Sequence, residues 1–177
     1  MEDSARAYWD RVDPLVEAIN IYDGPEAFLT SIAPVPRGAT LIYAADFCLY
    51  EIQNGGLLQF FANSTGVLAP EAIDGFAAIG MPNLAEIVGS AIAFLGTPYP
   101  RDIEVRAKAL LTAAGNKHET VASIMANKKG RYRALRDATK SLGLDGIDEE
   151  IYKIAESESG GFDNAKERYV AQLPYSK

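Results

Sequence analysis

The chain has 177 residues, of which 48% are hydrophobic and 23% are charged, and its formal net charge is −7 at pH 7. These proportions are typical of a globular protein and argue against a wholly disordered or membrane-embedded chain. The acidic N-terminus lacks the basic start and apolar run of a secretory signal, and no apolar window is long enough to cross a bilayer. We therefore expect a cytoplasmic protein, and a length near that of one domain predicts a single helical domain over residues 1–177.

Charge is distributed in three blocks along the chain. Residues 1–30 contain seven acids and two arginines, and residues 145–167 contain eight acids and two lysines. Between these blocks, residues 105–141 contain nine basic residues and only two acids. Such asymmetry either creates a field that orients a charged partner or reflects charge matching between helices of the same chain.

Apolar residues recur mostly at the spacing of a helix, which predicts an all-α fold, a compact bundle of about nine or ten helices. The first predicted helix begins at Ser4 and continues to Ile19, with a break allowed at Pro14. Pro25 is predicted to lie in the first turn of a short second helix, which extends to about Ile32.

A central helix is predicted from about residue 39, where a wide apolar stripe begins and leaves Tyr43, Asp46 and Glu51 on the other side. The Asn-Gly-Gly sequence at residues 54–56 is predicted to end this helix, because these residue types tolerate the left-handed backbone that terminates helices. Further helices are predicted within residues 57–63, 70–79, 83–95, 101–114, 117–126, 132–142, 147–157 and 164–173.

The segment EIQNGGLLQFFANSTG, residues 51–66, combines three glycines, two adjacent phenylalanines and four carboxamide side chains. One interpretation is structural: the aromatic rings, worth about 2 to 3 kcal/mol each when buried, clamp a short helix. The amides then satisfy the main-chain groups left free where two helices meet at a sharp corner. The alternative is a polar pocket that binds a small ligand, and the spacing does not separate the two. The residues that would form the corner or the pocket are Glu51, Asn54, Gly55, Gly56, Gln59, Phe60, Phe61, Asn63 and Ser64.

The same segment resembles a known family. Its order of residue types, Glu51, then Asn-Gly-Gly, Gln-Phe-Phe, Asn-Ser and Gly66, is similar to the hallmark of the bacterial DNA-mimic protein family, which is also catalogued as a domain of unknown function. The similarity continues through AIDGFAAIG at residues 72–80 and, more loosely, over most of the chain. The resemblance implies an all-helical fold and, for some members, an acidic surface that imitates DNA phosphates and occupies a DNA-binding protein. It implies no catalytic residues.

Patterns for metal binding and catalysis are missing from the sequence. The only histidine, His118, lies in a polar stretch typical of a helix entrance, and the lone Cys48 excludes a multi-cysteine metal site. Neither the Asp-rich loop of calcium sites nor a Gly-x-Ser-x-Gly nucleophile motif occurs. We therefore predict no catalytic residue, no metal site and no cofactor.

The leading hypothesis is a non-enzymatic bacterial protein that binds another protein, with a DNA-binding regulator as the candidate partner. Duplex DNA presents a phosphate about every 1.7 Å of its axis, so mimicry requires carboxylates spaced on one face. The alternative is a small-ligand binder or an unrecognised enzyme with a polar pocket at Glu51, Asn54, Gln59 and Asn63. Direct nucleic-acid binding through the basic residues 128–136 is disfavoured, and no membrane contact is expected. The candidate interaction surface comprises the acids Asp145, Asp148, Glu149, Glu150, Glu156 and Glu158.

Overall fold

The computed structural model describes residues 12–127 and 129–173, and these ranges fold into ten α-helices with no β-strand among them. The predicted all-α fold is confirmed, whereas the predicted helix start at Ser4 lies outside the described residues. No helix in these ranges has the length and apolarity needed to span a membrane. The helices are α1 Asp13–Val16, α2 Pro25–Ile32, α3 Arg37–Ala62, α4 Ala69–Ala78, α5 Pro82–Ile92, α6 Ile103–Ala113, α7 His118–Ala126, α8 Arg131–Ala138, α9 Leu144–Ser157 and α10 Phe162–Gln172.

Local sequence explains where several helices begin. Proline occupies the first turn of α1, α2, α4 and α5, where its missing N–H would have no partner inside the helix. The start of α6 is capped by Asp102, whose Oδ1 accepts hydrogen bonds from the main-chain N–H groups of Glu104 and Val105, both at 2.9 Å. Short 3₁₀ segments extend or connect the helices at Ser64–Leu68, Ala93–Leu95, Lys140–Leu142 and Glu158–Gly160.

Helix α3 lies at the centre of the hydrophobic core. Every residue from 39 to 45 is buried, because neighbouring helices cover this helix on more than one side. Tyr43 and Glu51, which the apolar pattern assigns to the other side of the helix, are each only 9% exposed. The buried surface of α3 is therefore wider than its apolar stripe predicts.

Helix α4 packs closely against α3, and a glycine makes this possible. A Cβ atom on Gly75 would overlap the main-chain oxygen of Leu41 and would lie 3.0 Å from the Cβ of Ala45. The next residue, Phe76, is fully buried and makes an edge contact with Phe162 of α10, with ring centroids 6.1 Å apart. Helix α9 contacts α3 near Ile52, where the Tyr152 hydroxyl donates to the Ile52 main-chain oxygen at 2.7 Å.

The contact at Gly75 generates the first prediction. Gly75→Ala should destabilise the protein by about 1 to 3 kcal/mol, because the added methyl group meets main-chain atoms that cannot rotate away. Gly89→Ala is the matched control: this glycine also lies inside a helix, and its added Cβ would make ordinary contacts of 3.9 and 4.0 Å with Ile73. The control should be neutral or gain up to about 1 kcal/mol from helix propensity.

Urea unfolding followed by circular dichroism measures both changes. An equal response of the two variants would contradict the close packing of α4 on α3.

Candidate functional site

The sequence motif folds into a corner inside α3. Backbone angles leave the helical region at Gly55, with φ −168° and ψ 23°, and at Gly56, with φ 78° and ψ 177°. The predicted helix break at residues 54–56 is thus confirmed, and the chain resumes helical structure at Leu57. Gly56 requires the absence of a side chain for two reasons: its φ is positive, and a Cβ would overlap a carboxylate oxygen of Asp148.

Asp148 of α9 satisfies the main chain where α3 resumes. Its Oδ1 accepts a hydrogen bond from the Leu57 N–H at 2.8 Å, as a capping side chain does at the start of a helix. Burial raises the pKa of Asp148, the Leu57 N–H bond opposes this shift, and the charge of Asp145 adds to it. Asp148 therefore fixes the position of α9 on the corner and has little exposed surface for a partner.

Glu51 is the acceptor at the centre of the corner. Its Oε2 accepts hydrogen bonds from Gln59 Nε2 at 2.8 Å and Asn63 Nδ2 at 3.0 Å, and its Oε1 accepts one from Thr65 Oγ1 at 3.1 Å. The three donors are neutral groups that converge on one nearly buried carboxylate. This network connects the first half of α3 to its second half and to the 3₁₀ segment that follows.

Arg106 of α6 binds main-chain oxygens at the carboxyl end of α3. The side chain is fully buried, and its Nε donates to the Phe61 oxygen at 2.9 Å while Nη2 donates to the Asn63 oxygen at 2.7 Å. A further bond joins Nη1 to the main-chain oxygen of Arg101. The Phe61 oxygen, in the last turn of α3, has no partner within the helix, whereas the Asn63 oxygen also accepts a bond from the Gly66 N–H at 3.2 Å. The guanidinium satisfies the first oxygen, adds a second bond to the other, and interacts favourably with the dipole of α3.

Gly66, the last residue of the motif, leaves room for this guanidinium. A Cβ on Gly66 would lie 2.7 Å from the Phe60 oxygen and 2.8 Å from Arg106 Nε. The Gly66 oxygen accepts a bond of 2.6 Å from the Tyr99 hydroxyl. Phe60 and Phe61 are both fully buried, with ring centroids 5.6 Å apart, as a structural clamp requires.

Two residues of the predicted ligand pocket lie outside the hydrogen-bond network of Glu51. Asn54 is exposed and Ser64 is half-buried, and neither side chain forms a hydrogen bond within residues 12–127 and 129–173. Gln59 and Asn63 instead both donate to the Glu51 carboxylate. A pocket at these residues stays a prediction, and the geometry favours the structural interpretation of the motif.

The acids predicted to form an interaction surface divide into two groups. Glu158 accepts hydrogen bonds from the main-chain N–H groups of Asn83 and Leu84, both at 3.0 Å, and so caps the start of α5. Together with Asp148, it serves the packing of α9. The remaining four are exposed and form neither a hydrogen bond nor an ion pair within the described parts of the chain: Asp145, Glu149, Glu150 and Glu156.

A large groove brings the two acidic ends of the chain together. Its volume is about 1090 Å³, and it is lined by residues of α1, α3, α9 and α10. We call it the acidic groove, because among the described residues five carboxylates and one basic side chain, Lys166, line it. The five are Asp13, Glu17, Asp46, Glu156 and Asp163.

Lys166 is held between two of these carboxylates. Its Nζ lies 2.6 Å from Asp46 Oδ1 and 3.6 Å from Asp163 Oδ1, and 5.3 Å from the centre of the Phe162 ring. Asp13, Glu17 and Glu156 form no ion pair within residues 12–127 and 129–173. Of the five groove carboxylates, only Glu156 belongs to the candidate surface chosen from sequence. The two acidic blocks of the sequence contain Asp13, Glu17 and Asp163, whereas Asp46 lies outside both blocks. That these carboxylates meet in one groove is a property of the fold.

One of the comparisons with known proteins identifies a family for this chain. Residues 33–173 match the family model described as DMP19-like protein, a DNA-mimic family. This match covers most of the chain and confirms the family resemblance. No curated protein matches the chain at a significant level. The same holds for solved structures.

The buried guanidinium generates a stability prediction. Arg106→Met should destabilise the protein by about 3 to 5 kcal/mol, because three main-chain oxygens each lose a hydrogen bond and the Phe61 oxygen is left without a donor in the interior. Arg133→Met is the control: Arg133 is exposed, and its loss should change stability by less than about 0.5 kcal/mol. Unfolding in urea measures both values. A loss of similar size in both variants would show that Arg106 does not hold the corner.

A third prediction concerns the pH dependence of stability. Because the folded-state pKa of Asp148 is raised, the folded protein holds this proton at a pH where the unfolded chain has lost it. The contribution of Asp148 to the free energy of unfolding therefore decreases as the pH rises from the ordinary aspartate pKa, about 3.9, to the raised folded-state pKa. Above the folded-state pKa it is constant. Asp148→Asn keeps an acceptor for the Leu57 N–H but cannot ionise. Its free energy of unfolding, relative to the wild type, should increase across this window. A difference that is constant from about pH 3 to pH 7 would contradict the prediction.

Proposed function

The chain belongs to the DMP19-like protein family, and on this basis we propose that it is a protein-binding module that occupies the DNA-binding surface of a regulator. The observation that carries the proposal is the acidic groove. Carboxylates from both ends of the sequence line it, and Asp13, Glu17 and Glu156 have no ion-pair partner among the described residues. A basic partner surface can neutralise carboxylates of this kind.

The chemistry of DNA-binding proteins complements this groove. Such proteins place Lys and Arg where they neutralise phosphates, and complementary potentials across an interface increase the rate and specificity of association. Exposed Glu149 and Glu150 lie on α9, the helix that carries Glu156, and extend the negative surface beyond the groove. The proposal therefore assigns partner binding to the groove together with these exposed acids of α9.

The basic block at residues 105–141 is partly neutralised within the protein, which supports the same proposal. Arg106 is buried on main-chain oxygens, and Arg131 pairs with Glu104 at 2.9 Å. Lys140 lies 3.7 Å from Asp137. The positive charge of this block is thus less available to an outside partner than its count in the sequence indicates.

The alternative of a small-ligand binder or an enzyme at the motif has less support. Glu51 already accepts bonds from three side chains of the same corner, so a ligand would have to displace internal partners. The acidic groove is the better candidate for an external partner.

Binding to DNA-binding proteins tests the proposal. The immobilised chain should retain such proteins from a bacterial lysate at low salt, and both high salt and added duplex DNA should release them, because screening and phosphate competition weaken the same contacts. The variant Asp13→Asn/Glu17→Gln/Glu156→Gln should lose retention. Mass spectrometry identifies the retained proteins.

The matched control removes the same three charges elsewhere. Glu26, Glu86 and Glu119 are exposed and do not line the acidic groove. The variant Glu26→Gln/Glu86→Gln/Glu119→Gln should keep retention. If no DNA-binding protein is retained at low salt, or if duplex DNA fails to displace those retained, the proposed function is wrong.

A further inference from the structure

We propose that the acidic groove binds one basic α-helix of the partner, with arginine side chains stacked on an aromatic floor. This inference rests on the proposed function and specifies the element of the partner that the groove accepts. Four features carry it: the aromatic floor, the carboxylates around it, the way Lys166 is held, and the size of the groove.

The floor of the acidic groove is an aromatic face of α3. Tyr43, Phe47 and Tyr50 are spaced by four and three residues, so they lie along one side of the helix and all line the groove. The first two rings are in contact, with centroids 4.6 Å apart. Tyr50 is 62% exposed, which is unusual for a large ring on the central helix of a core. A planar guanidinium stacks on such a face better than an ammonium group does.

The carboxylates of the acidic groove border this floor. Asp13 and Glu17 are separated by four residues at α1 and therefore lie on the same side of that helical turn. Glu156 of α9 and Asp163 of α10 line the groove from the C-terminal part of the chain. A guest with arginines on one face can stack on the floor and pair with these acids at the same time.

The chain itself shows how a cation is bound in this groove. Lys166 Nζ lies between Asp46 and Asp163 and above the ring of Phe162, so carboxylate pairing and a cation–π contact act together. A partner's arginine would repeat this arrangement with Glu156 and Tyr50, which line the same groove and have exposed surface.

The volume of the groove and the hydrogen bonding of the partner's main chain both favour a helix as the bound element. A helix about 10 Å across with a 5.4 Å pitch fills roughly 400 Å³ per turn, so the groove volume of about 1090 Å³ equals that of between two and three turns. A peptide that binds as an added β-strand requires a strand edge, and the described residues contain no strand. A helix satisfies its main-chain groups internally. The DNA major groove also admits a helix, so the same element of a regulator would fit both.

A stapled helical peptide tests the inference. The probe is a labelled peptide of about 18 residues with arginines on one face, long enough to remain helical. Fluorescence anisotropy should show binding to the full chain, and Tyr50→Ala should weaken it by about 2- to 30-fold, the range of a cation–π contact. Tyr50→Phe should retain the affinity, because the ring and not the hydroxyl group binds the arginine.

Tyr132→Ala is the matched control. Tyr132 is 39% exposed on α8 and does not line the groove, so its loss should leave peptide affinity unchanged. A peptide of the same composition with prolines that prevent a helix should bind more weakly than the stapled probe.

Four results would overturn the inference: absence of binding, equal losses in the Tyr50 and Tyr132 variants, equal binding of the proline peptide, or a dimer of the chain that dissociates on Tyr50→Ala. The last result would show that a second copy covers the groove. Failure of the proposed function is distinguishable from these results. If the proposed function is wrong, the chain retains no DNA-binding protein from the lysate, and this result does not depend on whether the peptide binds. If only the inference fails, retention of DNA-binding proteins still depends on the groove carboxylates but does not change in the Tyr50→Ala variant. The stapled peptide and the proline peptide then bind equally well.

Discussion

The guanidinium of Arg106, buried against the main-chain oxygens of Phe61 and Asn63, is the contact on which the rest of the corner depends. A helix that ends in the interior leaves carbonyls without donors, and an end of this kind is stable only if another group satisfies them. One side chain from α6 does so here. Because the guanidinium occupies the space beside Gly66, it also determines how the 3₁₀ segment leaves α3. Glu51 completes the corner from within α3 by binding amides on the far side of the break.

This corner determines which acids remain available at the surface. Asp148 binds the Leu57 N–H and Glu158 binds the first amides of α5, so two carboxylates of the acidic C-terminal block hold α9 in place. Glu156 belongs to the same block but lines the groove with no ion pair among the described residues. Carboxylates that hold helices and carboxylates without an ion pair among the described residues thus occur within one short stretch of chain. Net charge alone would not reveal this division, because an acid that caps a helix contributes little to binding a partner.

The acidic groove is lined by a helix that is buried in one part and exposed in another. The same helix, α3, is buried along residues 39–45 and yet exposes Tyr50 to the groove. Lys166 places its ammonium group in the groove, 2.6 Å from an oxygen of Asp46 and 3.6 Å from an oxygen of Asp163. Electrostatic attraction brings a basic partner to such a surface over a distance, whereas aromatic stacking acts only after contact. The two contributions are separable experimentally, since salt weakens the first far more than the second.

Sequence by itself determined the features that depend on neighbours along the chain. The helical spacing of apolar residues, the prolines at helix starts and the glycines at residues 55 and 56 are local, and the all-α fold and the helix break followed from them. The family resemblance also followed, because it rests on the order of residues in one segment. Only the tertiary structure decided the partners of the polar groups: Arg106 reaches Phe61 across 45 residues of chain, and Asp148 reaches Leu57 across 91. It likewise decided that Glu51 is nearly buried and that the two acidic ends share a groove. No local pattern encodes such pairings, because they arise from the way that distant helices pack.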